Sequence, residues 1–180
     1  MPMLTIITGN PKSGKSGLLT HRANHDPNGI YLGMNNDEKG GFLKQSRSLR
    51  LDKKVPFIFI KEILPTAEDI RTLHPKIKTI YIDEAQNGTS MQSAIFSYLD
   101  AGYDVVAGGV MHNWTGTRPL MERADKIIIV NGGVPNLDNK PADIANVRAA
   151  LLDEYLKTYK NKISFVDFKQ YYLEEKSQCR

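Results

Sequence analysis

Short apolar runs, each bounded by polar or turn-forming residues, recur along the first 130 residues of the chain. Runs of this length that are rich in Val, Ile and aromatic side chains predict buried β-strands. The predicted strands cover residues 3–8, 30–33, 55–60, 78–82, 103–108 and 126–130. Because the run 55–60 is nearly all apolar, we expect that strand to be buried on both faces of a sheet.

Between these strands, apolar residues recur at helical spacing. Helices are predicted at 14–24, from Thr66 to a point before Pro75, at 90–99 and at 120–124. Thr66 is a predicted N-cap with Asp69 at the capping-box position, and Gly102 is the residue expected to end the helix at 90–99. Strands that alternate with helices predict an α/β fold, in which helices cover both faces of a mostly parallel sheet of about six strands.

The alternation of predicted strands and helices ends after residue 130. A helix is predicted at 141–160, and Ser164 is expected to cap a last helix that carries several aromatic residues. We therefore expect one domain, 1–180, with a core at 1–130 and a helical C-terminal extension at 131–180. The polar stretch 34–54 predicts a long loop, and loops of that length are usually functional or mobile.

The strongest motif follows the first predicted strand. Residues 9–16 match G-x-x-x-x-G-K-[ST] at every fixed position, between a strand and a helix, and this context predicts a P-loop. Glycines allow backbone N–H groups to surround a phosphate, and the helix N-terminus adds a partial positive charge. The predicted phosphate-binding residues are Gly9, Asn10, Pro11, Lys12, Ser13, Gly14, Lys15, Ser16 and Gly17. Lys15 is expected to reach the terminal phosphates, and Ser16 to bind Mg²⁺.

A second motif ends the fourth predicted strand. Asp83 and Glu84 directly follow an apolar run downstream of the P-loop, which is the Walker-B arrangement. Asp83 is expected to hold Mg²⁺ through its water shell. Glu84 follows directly and is expected to act as a general base. The alternative is that both acids only stabilise the start of a helix.

Bulk properties narrow the remaining choices. The apolar fraction of 41% and charged fraction of 24% are those of a soluble globular chain, and the net charge of +4 gives no indication of nucleic-acid binding. The single cysteine excludes an internal disulfide and a cysteine zinc site, so no zinc is expected. No apolar run approaches the ~20 residues that span a bilayer. We expect a cytoplasmic protein without a membrane partner, and a homo-oligomer is left open.

With both motifs in place, the chain resembles the type II thymidine kinases, a family with a RecA-like P-loop core. The resemblance is carried by residues 13–16 (S-G-K-S), 82–86 (I-D-E-A-Q), 101–110, 114–120 and 124–126. It covers roughly residues 3–130. It implies ATP and Mg²⁺ as cofactors, a nucleoside-like acceptor, and Glu84 as the base on the sugar hydroxyl.

The acceptor site is partly implied by this resemblance and partly by position. Asp37, Lys39 and Arg47 lie where the family has acceptor residues, although solvated loop charges are an equal alternative for them. The candidate acceptor residues are Asp37, Lys39, Arg47, Gln86, Asn87, Met111 and Trp114. The last three are expected to bound, with Glu84, a crevice at the carboxyl ends of the fourth and fifth strands. Packing against the next helix is the alternative for Trp114.

The departures from the family concern the acceptor. The family has Phe where this chain has Asn87, and it closes the thymidine site with a zinc lasso of four cysteines that is absent here. Three hypotheses therefore stand: an ATP-dependent kinase of a nucleoside or similar small acceptor; a P-loop ATPase in phage or DNA-handling assembly, where D-E-A-Q also occurs; and a non-catalytic nucleotide-binding relic.

Overall fold

The computed structural model describes residues 1–9, 13–33, 51–60, 63–86, 89–111, 114–131, 153–154 and 156–167. Seven strands are found among them: β1 (Leu4–Gly9), β2 (Gly29–Gly33), β3 (Phe57–Phe59), β4 (Thr79–Ile82), β5 (Asp104–Gly108), β6 (Lys126–Asn131) and β7 (Ile163–Asp167). The helices with defined bounds are α1 (Lys15–Asn24), α2 (Ala67–Leu73), α3 (Thr89–Asp100) and α4 (Trp114–Arg123).

The strands form one sheet in the order β3-β2-β4-β5-β1-β6-β7, and every described pair is parallel. Because the strands are parallel, their carboxyl ends meet at one edge of the sheet. The loop after β1 and the acids after β4 therefore lie at the same edge, with β5 between their two strands.

Alternating side chains of the strands pack into two apolar layers, one on each face of the sheet. Helix α1 covers one face, where Leu18, Leu19 and Ala23 meet Ile7 and Tyr31. Helices α2, α3 and α4 cover the other face and enclose the larger layer. The prediction of a parallel sheet with helices on both faces is confirmed.

One helix start and one helix end that were predicted from local chemistry are also confirmed. The Thr66 hydroxyl accepts a hydrogen bond from Asp69 N at 3.1 Å, and the Asp69 carboxylate accepts one from Thr66 N at 2.8 Å, which completes the capping box. Gly102, at φ 93°, follows α3 as expected.

The strand predicted at 55–60 is in the sheet, but its burial on both faces was predicted wrongly. β3 covers only Phe57–Phe59, and all three residues are partly exposed. The reason is topological, since β3 lies at the edge of the sheet and pairs only with β2 among the described strands. An apolar sequence cannot by itself distinguish an edge strand from a central one.

Helix α4 is longer than predicted. It begins at Trp114 rather than at 120, and it contains Pro119. A proline inside a helix removes one backbone hydrogen bond. The burial of Thr117, Leu120 and Met121, one helical face of α4, offsets that loss.

The last predicted helix is wrong, because Ser164 and Phe165 belong to strand β7. β7 pairs in parallel with β6, from Ile127 opposite Ile163 to Asn131 opposite Asp167. Ile, Phe and Val are favourable in strands, and pairing with β7 satisfies the backbone N–H and C=O groups along the outer edge of β6. The sequence alone does not reveal that β6 has this unpaired edge. In the stretch predicted as helix 141–160, the described residues 153–154 and 156–158 are helical.

Candidate nucleotide site

The P-loop begins where β1 ends and leads directly into α1. Gly14 precedes the helix at φ 101°, a left-handed conformation that glycine adopts without a steric cost. Its carbonyl accepts a hydrogen bond from Leu18 N at 2.9 Å, so the first helical turn is formed. The predicted loop residues Asn10, Pro11 and Lys12 lie outside the described residues. Gly17 is a buried residue of α1.

Two observations describe the packing at the two ends of the loop. A Cβ on Gly9 would lie 2.6 Å from the Val130 carbonyl oxygen and 2.9 Å from Ser13 Oγ, so only glycine fits there. The Ser13 hydroxyl is fully buried and has no hydrogen-bond partner among the described residues. A buried hydroxyl is normally satisfied by a partner, and a phosphate oxygen is one such partner.

The carboxylate of Asp83, at the carboxyl end of β4, is the centre of a hydrogen-bonded cluster. Ser16 Oγ donates to Asp83 Oδ1 at 3.3 Å, which joins α1 to the end of β4. Glu84 N donates to the same oxygen at 2.9 Å. The Tyr31 hydroxyl donates to Asp83 Oδ2 at 3.2 Å from the neighbouring strand β2. The predicted Mg²⁺ residues Ser16 and Asp83 are therefore in contact.

Electrostatics couple the P-loop lysine to the two acids. Burial lowers the pKa of Lys15, and attraction by Glu84 and Asp83 partly offsets that effect. Burial also raises the pKa of Asp83, and repulsion by Glu84 adds to it, while the hydrogen bonds from Ser16, Glu84 N and Tyr31 act in the opposite direction. Lys15 and Asp83 are thus partly desolvated, and both interact electrostatically with Glu84.

Glu84 has a different environment from Asp83. Its side chain is exposed, and its backbone has φ 56°, an unusual conformation for a residue with a Cβ. Gln86 Nε2 donates a hydrogen bond to Glu84 Oε2. Gln86 Oε1 is buried without a partner among the described residues and lies against Gly109, where any Cβ would collide with it. Gln86 therefore holds the Glu84 carboxylate in place.

The residues present fit Mg²⁺ and a nucleoside triphosphate. Mg²⁺ prefers oxygen ligands and is usually held by one or two carboxylates together with substrate phosphates. Ser16 and Asp83 supply a hydroxyl and a carboxylate in contact with each other. The Ser13 hydroxyl, which has no hydrogen-bond partner among the described residues, precedes the N-terminus of α1.

The predicted acceptor residues are only partly brought together. Gln86 contacts Glu84, as described above. Met111 is fully buried in the core, and its backbone N–H donates to Thr8 Oγ1 at 3.2 Å, which offers no exposed surface for an open crevice. Trp114 is the first residue of α4. Asp37, Lys39, Arg47 and Asn87 lie outside the described residues.

Tyr31 is the site residue that the sequence does not reveal. Its partner Asp83 is 52 residues away along the chain, and Tyr31 belongs to no motif. A tyrosine within an apolar run predicts only a strand residue. The contact arises because β2 pairs with β4, from Gly29 opposite Thr79 to Leu32 opposite Ile82.

The described side chains and helices also bear on metal binding and on membrane spanning. The described part of the chain has no group of three or more His, Cys, Asp or Glu side chains that could hold a metal ion. The absence of zinc from the whole protein stays a prediction. No helix in the described ranges is both long and apolar enough to cross a membrane.

Fold and site together define the class of the protein. The fold has three layers, with helices on both faces of one parallel sheet, and the P-loop motif follows β1. Asp83, after β4, contacts Ser16 of the P-loop across the carboxyl end of the intervening strand β5. This is the RecA-like fold of P-loop NTPases.

Comparison with known proteins finds similarity to solved structures only. No protein-family model matches the chain, and no curated protein matches it. The X-ray structure of the Legionella pneumophila ATPase DotB is similar at 15% sequence identity with a TM-score of 0.39, over 86% of this chain and 52% of DotB. The chain thus spans about half the length of that structure. A likeness of this size is too weak to define a family, and the class rests on the sheet order and the site.

Proposed function

We propose that the protein is a Mg²⁺-dependent NTPase that binds ATP at the P-loop and hydrolyses its terminal phosphate bond. The contact between Ser16 Oγ and Asp83 Oδ1 carries this proposal, because it joins the P-loop to the acid pair. Lys15, which feels the charge of both acids, lies in the same space. A lysine, a hydroxyl and two carboxylates in this arrangement are the groups that phosphoryl transfer needs.

Each residue has a separate task in this proposal. Lys15 neutralises charge on the terminal phosphates, and the backbone N–H groups around Gly14 bind phosphate oxygens. Mg²⁺, when bound, neutralises further phosphate charge and orients the phosphates. Glu84 accepts the proton of the attacking water, and Gln86 orients the Glu84 carboxylate through its amide.

A phosphate-release assay tests the proposal. Purified protein is incubated with ATP in Mg²⁺ or in EDTA, with and without a panel of nucleosides, while free phosphate and phosphorylated nucleoside are measured in parallel. We expect Mg²⁺-dependent release of phosphate without any nucleoside. Binding of ATP without turnover would indicate the non-catalytic relic, and absence of binding would overturn the proposal.

A nucleoside kinase is the second candidate. It is supported by the resemblance of residues 82–86 and 101–110 to type II thymidine kinases, and by the exposed Glu84 carboxylate, which a substrate hydroxyl can approach. In that reaction Glu84 accepts the proton of an acceptor hydroxyl instead of water. The burial of Met111 does not favour this candidate, because it removes one residue of the expected acceptor crevice.

The same assay separates the two activities. A kinase transfers phosphate to one nucleoside faster than it releases phosphate to water.

The preferred nucleoside should also change the fluorescence of Trp114, the only tryptophan in the sequence. Asn87→Phe should alter the preferred acceptor more than the ATP affinity. If no nucleoside alters the rate of ATP hydrolysis, the protein is an ATPase and not a nucleoside kinase. We then propose that this ATPase acts in phage or DNA-handling assembly.

A further inference from the structure

Tyr31 contacts the acid pair although it lies on β2, outside both sequence motifs. Its hydroxyl donates to Asp83 Oδ2 at 3.2 Å, while Ser16 Oγ donates to Asp83 Oδ1 at 3.3 Å. The carboxylate is therefore held at both oxygens, by β2 on one side and by α1 on the other. An ionised carboxylate can accept about four hydrogen bonds or metal contacts, so it still has room for a hydrated cation.

Helix α1 also secures Tyr31. The Thr20 side chain lies within reach of the Tyr31 phenol, and Thr20 follows Ser16 by one helical turn. Thr20 is 3% exposed and Tyr31 is 7% exposed, so solvent does not compete strongly for the Tyr31 hydroxyl. Stacking of the Tyr31 ring on Phe57, at 6.0 Å between centroids, fixes the phenol further.

Tyr81 provides a matched comparison within the same layer. It lies directly opposite Tyr31 in the pairing of β2 with β4, and both rings belong to the apolar layer under α1. The Tyr81 hydroxyl donates to an acid as well, Asp26 Oδ2 at 3.0 Å, but Asp26 belongs to the turn after α1. The two tyrosines thus have the same chemistry and similar burial, and only Tyr31 contacts the site.

We propose that Tyr31 is a positioning residue that orients the Asp83 carboxylate for Mg²⁺. The inference rests on the proposed function, since it concerns the same site. Tyr31 acts through Asp83 and contacts neither the nucleotide nor the reacting atoms. Loss of a partner that orients a metal-binding group from outside typically weakens metal affinity by roughly 10–100-fold.

The experiment compares Tyr31→Phe with Tyr81→Phe. The affinity for a fluorescent ATP analogue is measured in EDTA and over a series of Mg²⁺ concentrations. We expect Tyr31→Phe to raise the Mg²⁺ concentration at half-saturation about tenfold. Its affinity for the analogue in EDTA should equal that of the wild type, and Tyr81→Phe should match the wild type in both measurements.

The outcomes are distinguishable. If the wild type binds with Mg²⁺ dependence and Tyr31→Phe is unchanged, the positioning role is overturned while the proposed function stands. If Tyr31→Phe weakens binding equally in EDTA and in Mg²⁺, its role is only structural, and the inference is overturned. If the wild type does not bind the analogue at all, the proposed function fails, and the inference fails with it.

A double-mutant cycle adds a second readout. Because Tyr31 acts through Asp83, Tyr31→Phe should shift the Mg²⁺ response no further in an Asp83→Asn background, and additive effects would overturn the inference. If Tyr31→Phe does not fold, Thr20→Val removes the supporting hydroxyl instead. It should shift the Mg²⁺ response in the same direction, and an unchanged response would also count against the positioning role.

Discussion

Two helices of this protein start in opposite ways. Helix α1 follows Gly14 in a left-handed conformation, has no acid in its first turn, and receives no side-chain cap from the described residues. Helix α2 follows Thr66, has Glu68 and Asp69 in its first turn, and carries a complete capping box. The first N–H groups of a helix need partners and attract negative charge.

In the proposed function, the start of α1 serves nucleotide binding, whereas the start of α2 serves stability. At α2 the chain satisfies its own N–H groups and complements the helix dipole with its own acids. At α1 the described residues provide neither a side-chain cap nor an acid in the first turn, and Lys15 occupies the first helical position. The two acids near α1, Asp83 and Glu84, come instead from the end of β4, where they face the P-loop from across the sheet edge.

The largest effect is expected from Lys15→Ala, which removes the cation at the open helix start. Loss of one partner of a desolvated charge pair costs about 2–5 kcal/mol, so affinity for Mg-ATP should fall more than about 30-fold. Calorimetric titration measures this, and thermal unfolding should show that the fold is retained. Lys126→Ala is the control, an exposed lysine at the start of β6. Equal affinity in both variants would remove the P-loop interpretation.

Glu84→Gln should have the next largest effect, on turnover alone. A general base contributes roughly 10²–10⁴-fold to the rate, and glutamine cannot accept the proton. Single-turnover kinetics should show that loss while Mg-ATP affinity stays at the wild-type value. Glu68→Gln, in the first turn of α2, is the matched control, with no change expected in either quantity. Normal turnover by Glu84→Gln would show that another group acts as the base.

Asp83→Asn should affect binding in a Mg²⁺-dependent manner. Asp83 acts on the cation through its water shell in our proposal, so its neutralisation should raise the half-saturating Mg²⁺ concentration by about 10–100-fold. Nucleotide affinity in EDTA should not fall, because without the cation a carboxylate at position 83 can only repel the phosphates. A loss of the same size with and without Mg²⁺ would contradict the assignment of Asp83 to the metal.

What the sequence predicts well is local. The residues from Gly9 to Ser16 and the pair Asp83 and Glu84 each form a contiguous motif next to a strand, so their place at one sheet edge follows from parallel topology. The capping box of Thr66 and Asp69 spans one helical turn, so it can also be predicted from the local sequence.

What the sequence misses depends on pairing between distant segments. Tyr31 meets Asp83 only because β2 lies beside β4, and Ser164 is in a strand only because β6 has a free edge for β7. The edge position of β3 and the early start of α4 likewise depend on what covers them. Hydrophobic periodicity describes one segment at a time and carries no information about its neighbours.

The smallest effect is expected at the closed helix start, from Thr66→Ala. Loss of an N-cap costs about 1 kcal/mol, which urea unfolding resolves, and Mg-ATP affinity should not change.

Hydrogen bonds from Thr66 lower the pKa of Asp69, so the charged capping box stabilises the folded state. Its contribution is therefore fully present above the ordinary carboxyl pKa of 3.8 and is lost as the pH falls through the lowered value. The stability difference between the wild type and Asp69→Asn should shrink in that acidic range, and a difference that grows there would contradict the capping assignment.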